Sequence, residues 1–268
     1  MEHCPEQSSG SREIYEVNVA YALVRAAPTL VSSLRESMLF IAAEAREFAG
    51  LLPFCASIQS LQWPISYARS AQLNGRQVIL AANGAGPNRA AEAAEVAHSQ
   101  IPAALDAVVS TGFCGALDPQ LKIGEIFVAT SIQVAGELQP VSAPQCHRAH
   151  HSGALVSLDR VAQTKEEKRD LCSAGARAVE MEAAGVLSRV REWGMPFYCI
   201  RSITDLAHES FHIDFNAVRT PDGRFSTPRI LAAAVASPIA VAPELLELRR
   251  RCARAAQSLG EFIADCNF

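Results

Sequence analysis

Two acidic side chains mark the part of the sequence that most constrains the fold. Glu182 lies in the stretch Ala178–Gly185, where an apolar run turns into a helix that is predicted to end at Gly194. Asp205 closes the next apolar run, which begins at Pro196 and reads as a buried strand. In an α/β sheet, ligand-binding residues collect at the carboxyl ends of the strands. We therefore predict an α/β protein in which both carboxylates face one crevice.

Paired carboxylates in unlike surroundings suit acid–base chemistry, because one can remain an anion while the other carries a proton. Each residue also has a plainer interpretation. Glu182 could be an acid favoured by the dipole at a helix start, and Asp205 could cap a helix. Either residue alone would favour the plainer interpretation.

The motifs around these residues resemble those of a known family. Val179-Glu-Met-Glu-Ala-Ala184, followed by Ile200-Arg-Ser-Ile-Thr-Asp205, is similar to the nucleoside phosphorylase superfamily. The most similar branch comprises the 5′-methylthioadenosine/S-adenosylhomocysteine nucleosidases and related hydrolases, including futalosine hydrolase. Hopanoid-associated phosphorylase-like proteins are also similar. A further stretch, Thr111-Gly-x-x-Gly-x-Leu-Asp-Pro-x-Leu-Lys-x-Gly-Glu125, carries the same resemblance.

The resemblance covers about residues 38–215 and implies a three-layer α/β/α fold around a twisted mixed sheet, usually in a homodimer. With 268 residues, 49% of them hydrophobic, the chain can bury one sizeable core. We predict a single nucleoside phosphorylase-like domain over residues 38–268. Residues 1–37 lie outside the resemblance and are predicted to be a peripheral extension without a catalytic part.

Charge and cysteine usage limit the function classes. The net charge is −4 and no long block of one sign occurs, which argues against a nucleic-acid or anionic-membrane partner. The eight cysteines are scattered without CxxC spacing, as in a reduced, cytoplasmic protein. We expect a small-molecule nucleoside as partner and no cofactor. The histidines at 147, 150 and 151 are expected to be solvated and not to bind a metal.

The resemblance implies the release of a purine base by hydrolysis of the N-glycosidic bond, with an adenosine-type nucleoside as substrate. Asp205 would be the general acid that protonates the leaving base. Glu182 would accept hydrogen bonds from the ribose hydroxyls, and Met181 would pack against the ribose. Thr204 would orient Asp205, while Arg201 would help to order the surrounding groups.

A glutamate after the first strand is the expected general base. Aligning Ile41-Ala-Ala with the family's apolar-Gly-Ala places Glu47 where the family activates the attacking water. From spacing alone, a solvated acid in the first turn of a helix explains Glu47 as well. The resemblance also makes Cys114 and Gly115 wall residues, because glycine allows backbone to lie against the nucleoside.

Three further positions are carried over from the family. Val161 and Ala162 lie where its members bind the base through backbone groups, although this chain has no aromatic ring there. Phe215 falls near the expected 5′ end of the sugar, where it could also simply anchor a loop. The charged stretch 164–170 between these positions is predicted to be a solvated helix face.

Two rival functions remain open. A phosphate-dependent phosphorylase could bind phosphate through Arg46, Arg89 or the amides of Gly84–Gly86. However, Ser110 and Phe113 stand where phosphorylases place an arginine and a serine, which favours water as the acceptor. A non-catalytic nucleoside-binding relative is the other alternative.

Overall fold

The computed structural model describes residues 37–101, 105–220 and 225–268, so the predicted extension lies outside the described residues except for its last position. The strands are β1 Ser37–Ala42, β2 Cys55–Ser60, β3 Tyr67–Leu73, β4 Arg76–Ala82, β5 Leu105–Ala116, β6 Ile126–Val134, β7 Glu137–Pro140, β8 His151–Ser157, β9 Ala178–Glu180 and β10 Phe197–Asp205. The helices are α1 Pro87–Gln100, α2 Lys165–Ser173, α3 Ala183–Trp193, α4 Phe215–Val218, α5 Thr227–Ala236 and α6 Pro238–Asp265. Short 3₁₀ helices cover Ala45–Phe48 and Leu52–Phe54.

The ten strands of the described residues form one mixed sheet, and part of it closes into a ring. The central strand β5 pairs in parallel with β1 and β10. From β10 the ring continues through β6, β8 and β9, and β9 returns to β5 in antiparallel pairing. On the other side of β5 the sheet extends open through β1, β4, β3 and β2. The carboxyl ends of β1, β5 and β10 therefore lie at the same edge.

Helices cover both faces of the sheet, as the period-2 pattern of β1 requires. Leu39 and Ile41 pack on one face in a core with α1 and α3. Met38 and Phe40 pack on the opposite face in a core with the last part of α6. The predicted three-layer α/β/α fold is confirmed. No helix in the described parts of the chain is long and apolar enough to cross a membrane.

Three local details bear on the site and its surroundings. Strand β5 continues past Thr111 to Ala116, so Gly112 and Gly115 lie within the strand. The segment after Glu44 forms a 3₁₀ turn and not the first turn of an α-helix, and a capping box between Glu44 and Glu47 closes it. Helix α6 begins at Pro238 and continues through Pro243.

Helices α1 and α3 approach so closely that only glycine fits at their contact. A Cβ at Gly185 would lie 1.9 Å from the carbonyl oxygen of Pro87, which is backbone and cannot turn aside. Gly185 follows the candidate residue Glu182 by one turn, and Pro87 follows Gly86, whose amide binds Glu182. The helix contact and the site are therefore connected.

We predict that Gly185→Ala destabilises the protein by about 1–3 kcal/mol, as overpacking does, although alanine is the better helix former. Thermal or urea unfolding followed by circular dichroism measures the change. Glu192→Ala, at an exposed position of the same helix, should change stability by no more than about 0.5 kcal/mol. An unchanged or raised stability of Gly185→Ala would contradict the tight helix contact.

Candidate active site

One cavity of about 450 Å³ lies where β1, β5, β9 and β10 end. Its wall comes from these strand ends, from the segments that follow them, and from α5 and α6. The ten residues predicted for the site all line it: Glu47, Cys114, Gly115, Val161, Ala162, Met181, Glu182, Thr204, Asp205 and Phe215. The structure thus brings the predicted set together, while the role of each residue stays a prediction.

Glu47 is a buried carboxylate at the end of β1. Its Oε2 accepts from the amide of Glu44 at 2.9 Å, and its Oε1 accepts from the amide of Phe113 at 3.1 Å. Burial raises the pKa of Glu47 above its ordinary value, against the effect of these two hydrogen bonds. A Cβ at Gly112, where φ is 140°, would approach Oε1 to 2.8 Å. The glycine therefore makes room for the carboxylate.

Glu182 lies at the N-cap position of α3, as its sequence context predicts. Its side chain makes no capping hydrogen bond to α3, and its Oε1 accepts from the amide of Gly86 at 2.9 Å. Burial, followed by the nearby charges of Glu180 and Glu47, raises the pKa of Glu182 to about 8. Glu182 therefore keeps its proton to a higher pH than an exposed glutamate does.

Glu180 and Arg201 form a buried ion pair behind these residues. Glu180 also accepts from the amides of Glu182 and Ala183, each at 2.9 Å, and Arg201 donates to the Ser110 hydroxyl at 2.8 Å. Glu180 was not among the residues predicted for the site. An arginine inside an apolar strand requires a buried partner, and that requirement was the available signal.

Asp205 ends β10 and contacts two neighbours. The ammonium of Lys168 lies 2.5 Å from its Oδ2, and the Thr204 hydroxyl donates to Oδ1 at 3.2 Å. Thr204 therefore contacts Asp205, and its role in orienting that carboxyl group stays a prediction. The expected solvated helix face is wrong at Lys168, which is fully buried on the inner face of α2. Asp205 does not cap a helix.

The acidic groups outnumber the cations in the buried part of the site. Glu180 pairs with Arg201 and Asp205 pairs with Lys168. Glu47 and Glu182 have no ion-pair partner within the described ranges. Each is satisfied only by backbone amides. These two carboxyl groups can therefore take up protons, or receive hydrogen bonds from a polar ligand.

Val161 and Phe215, two of the residues predicted to bind substrate, make different contacts within the protein. The amide of Val161 donates to the Asn216 side chain at 2.9 Å, and that side chain donates back to the Val161 carbonyl at 3.0 Å. The Val161 amide is therefore engaged by Asn216 within the protein, and base binding through backbone groups at Val161 and Ala162 stays a prediction. Phe215 packs edge-on against Phe211 and Phe225 in an aromatic cluster that lines the cavity.

The histidines are engaged elsewhere. His151 pairs with Glu125 at 3.1 Å, and the His150 ring packs against Phe262. Over residues 37–101, 105–220 and 225–268, no group of three potential metal ligands occurs.

A three-layer fold with a carboxylate-lined cavity at the strand ends defines a class of α/β proteins that bind small ligands at that edge of the sheet. The phosphorylase superfamily model matches residues 66–148 and 139–235. The chain belongs to the phosphorylase superfamily, which confirms the resemblance inferred from its motifs.

Individual relatives agree with this assignment. The 5′-methylthioadenosine/S-adenosylhomocysteine nucleosidase of Staphylococcus aureus (strain bovine RF122 / ET3-1) is 25% identical over 174 residues, which are 54% of this chain and 75% of the relative. The crystal structure of the Neisseria meningitidis nucleosidase of the same name, in complex with methylthio-immucillin-A, has a TM-score of 0.64 at 20% identity and covers 86% of this chain and 97% of its own. The structure of futalosine hydrolase from Helicobacter pylori has a TM-score of 0.62 at 17% identity and covers 86% of this chain and 96% of its own. The structures show a shared fold.

The raised pKa of Glu182 predicts how the ligand-free protein responds to pH. Its ordinary value is 4.5, so between this value and about 8 the folded protein binds a proton that the unfolded chain has released. The stability that this proton contributes is complete below pH 4.5 and is lost as the pH rises towards 8.

Replacing Glu182 by glutamine should therefore make the melting temperature fall less between pH 5 and pH 8 than it does in the unaltered protein. Thermal melts at half-unit pH steps measure this, and Glu192→Gln at an exposed position is the control. An equally steep fall in Glu182→Gln would contradict the assignment. The pKa of Glu47 is also raised, so part of the fall in melting temperature should remain in Glu182→Gln.

Proposed function

We propose that the protein hydrolyses the N-glycosidic bond of a purine nucleoside of the adenosine type, such as 5′-methylthioadenosine or S-adenosylhomocysteine. The observation that carries the proposal is the placement of two different carboxyl groups along β5. Glu47 contacts the Phe113 amide, and Asp205 lies against Gly115. These backbone positions are about 7 Å apart along the strand, which leaves room for a ribose between an acid and a base.

Asp205 is the proposed general acid. As the C–N bond breaks, its electron pair moves into the purine, and a proton from Asp205 neutralises the leaving base. The contact with Thr204 fixes the plane of the carboxyl group. The cavity around Asp205 is otherwise lined mainly by apolar groups, where a positioned acid is more effective than in water.

Glu47 is the proposed general base. Its pKa is raised by burial, so it accepts a proton more readily than an exposed glutamate does. Its two backbone hydrogen bonds fix both oxygens towards the cavity end of β1. A water bound there would lose a proton to Glu47 while it attacks the anomeric carbon.

Glu182 is the proposed sugar ligand. One oxygen is committed to the Gly86 amide, which leaves the other to accept from ribose hydroxyls. Hydrogen bonds from the sugar would favour the ionised form, and the resulting negative charge would stabilise the cation-like ribosyl centre. Met181, adjacent in sequence and lining the cavity, would cover the sugar's apolar face.

Water is the favoured acceptor over phosphate, because both arginines and two of the three amides considered for phosphate are engaged. Arg46 pairs with Glu44 at 2.7 Å, and Arg89 pairs with Glu92 at 2.8 Å and does not line the main cavity. The amide of Gly86 binds Glu182, and that of Gly84 donates to the Ala43 carbonyl at 2.8 Å.

The far end of the cavity supports an apolar 5′ substituent. Six apolar side chains that pack in one cluster line it, and no charged group other than Arg249 comes from α5 or α6 in the described lining. The apolar members are Phe211, Phe215, Phe225, Ile230, Leu245 and Leu248. A thioether or alkyl group would fit this lining better than a free 5′-hydroxyl.

The proposal includes a cytoplasmic homodimer. Reduced surroundings are supported by the cysteines, since all seven that the structure describes are free. Light scattering of the purified protein tests the dimer, and a mass of one chain, 28.7 kDa, would contradict it.

We expect base release from 5′-methylthioadenosine or S-adenosylhomocysteine at the same rate with and without phosphate. Asp205→Asn should lower kcat by about 10²–10⁴-fold, because it removes the proton donor. Glu47→Gln should cause a loss in the same range. Chromatographic quantification of the free base measures both.

Asp170→Asn is the matched control, because Asp170 is an exposed aspartate outside the cavity. It should retain the rate of the unaltered protein. Strict dependence on phosphate would instead support a phosphorylase, and tight nucleoside binding without base release would support a binding protein.

A further inference from the structure

Lys168 is an unusual lysine, because its ammonium group lies entirely inside the protein. Helix α2 carries exposed charged residues at Lys165, Glu166 and Asp170. Lys168 instead points inwards and is 0% exposed. Removing an ammonium from water is costly unless an anion and further acceptors replace the water.

The replacement acceptors of Lys168 belong to the end of β10. Its Nζ donates to Asp205 Oδ2 at 2.5 Å and to the carbonyl of Leu206 at 2.9 Å. The Phe211 ring lies 5.2 Å away, close enough for a cation–π contact. One oxygen of Asp205 is therefore committed to Lys168, while Oδ1 is next to the Thr204 hydroxyl.

The backbone that Lys168 contacts is itself fixed. Glu209 accepts from the Leu206 amide at 2.8 Å, and Arg251 of α6 donates to Glu209 at 2.8 and 3.0 Å. Lys168 thus binds a segment that α6 also anchors. The carboxyl group of Asp205 has little freedom to rotate.

We propose that Lys168 is a positioning residue that acts through Asp205, fixing Oδ2 so that Oδ1 carries the proton for the leaving base. This inference rests on the proposed function. In the step, the Oδ1–H and C–N bonds break, an N–H bond forms on the base, and the electron pair of the C–N bond remains with the base. Lys168 keeps its three protons and neutralises the carboxylate left behind.

The proton balance closes over one turnover. The attacking water gives a proton to Glu47, and Asp205 gives one to the base. Exchange with solvent then removes the proton from Glu47 and returns one to Asp205. No further reactant is required.

A purely structural lysine would make the same contacts, so the test must separate the two roles. The proposal concerns only leaving groups that need a proton. A nucleoside has such a leaving group, whereas a 4-nitrophenyl riboside with the same 5′ substituent does not, because nitrophenolate leaves as an anion. Loss of a structural contact would slow both substrates alike.

We expect Lys168→Met to lower kcat for the nucleoside by at least about 10²-fold, while kcat for the nitrophenyl riboside changes by no more than about threefold. Lys165→Met, three residues earlier on the exposed side of α2, should leave both rates unchanged. Lys168→Arg keeps the cation. Its kcat for the nucleoside should lie between that of the unaltered protein and that of Lys168→Met. Lys168→Arg serves as the test variant if Lys168→Met does not fold by circular dichroism.

Equal losses on both substrates would overturn the role of Lys168 while leaving the proposed function intact. If the unaltered protein releases no base, that result would instead contradict the proposed function. If the nitrophenyl riboside is not cleaved at all, the double variant with Asp205→Asn decides. In the Asp205→Asn background, Lys168→Met should not lower kcat for the nucleoside any further. An additional loss of kcat would show that Lys168 does not act through Asp205.

Discussion

The buried ion pair between Glu180 and Arg201 is the interaction on which the site depends. It joins β9 to β10, and the contact of Arg201 with Ser110 adds β5. The same carboxylate of Glu180 accepts from the first amides of α3. Both Arg201 and Glu180 are almost completely buried, so removing either partner would leave an uncompensated charge at a cost of about 3–5 kcal/mol. The pair thereby fixes the helix start that presents Glu182.

This arrangement also explains why the neighbouring acids behave differently from one another. Arg201 is committed to Glu180, and Lys168 is committed to Asp205. Glu47 and Glu182 are consequently buried with backbone amides as their hydrogen-bond donors, and the pKa of each is raised by burial. Distribution of two cations among four carboxyl groups therefore leaves two ion-paired carboxylates and two carboxyl groups with a raised pKa in one cavity.

The sequence predicted those features that depend on local pattern. Glu182 at a helix start and Asp205 at a strand end follow from apolar periodicity and from Gly194, which ends α3 in the left-handed conformation. Partners that are distant along the chain were not predictable in this way. The contact between Val161 and Asn216 spans 55 residues and depends on how a later segment folds back.

The burial of Lys168 could have been predicted from the sequence, but its partner could not. A run rich in lysine and glutamate usually marks a solvated face, and five of the seven residues at 164–170 are indeed exposed. However, Lys168 shares a helix face with Leu171 and Cys172, both partly buried against the core. Helical spacing therefore placed it inside, but only the tertiary structure identifies Asp205 as the anion that it meets.

The glycines of β5 have a different role in the structure from the one expected. Gly115 was expected to let backbone lie against a nucleoside, yet a Cβ there would come within 2.7 Å of Asp205 Oδ2. Gly112 makes the corresponding space for Glu47. Residues three apart on a regular strand point to opposite faces, but β5 is irregular at Gly112, where φ is 140°. These two glycines of β5 therefore supply the space for both carboxyl groups.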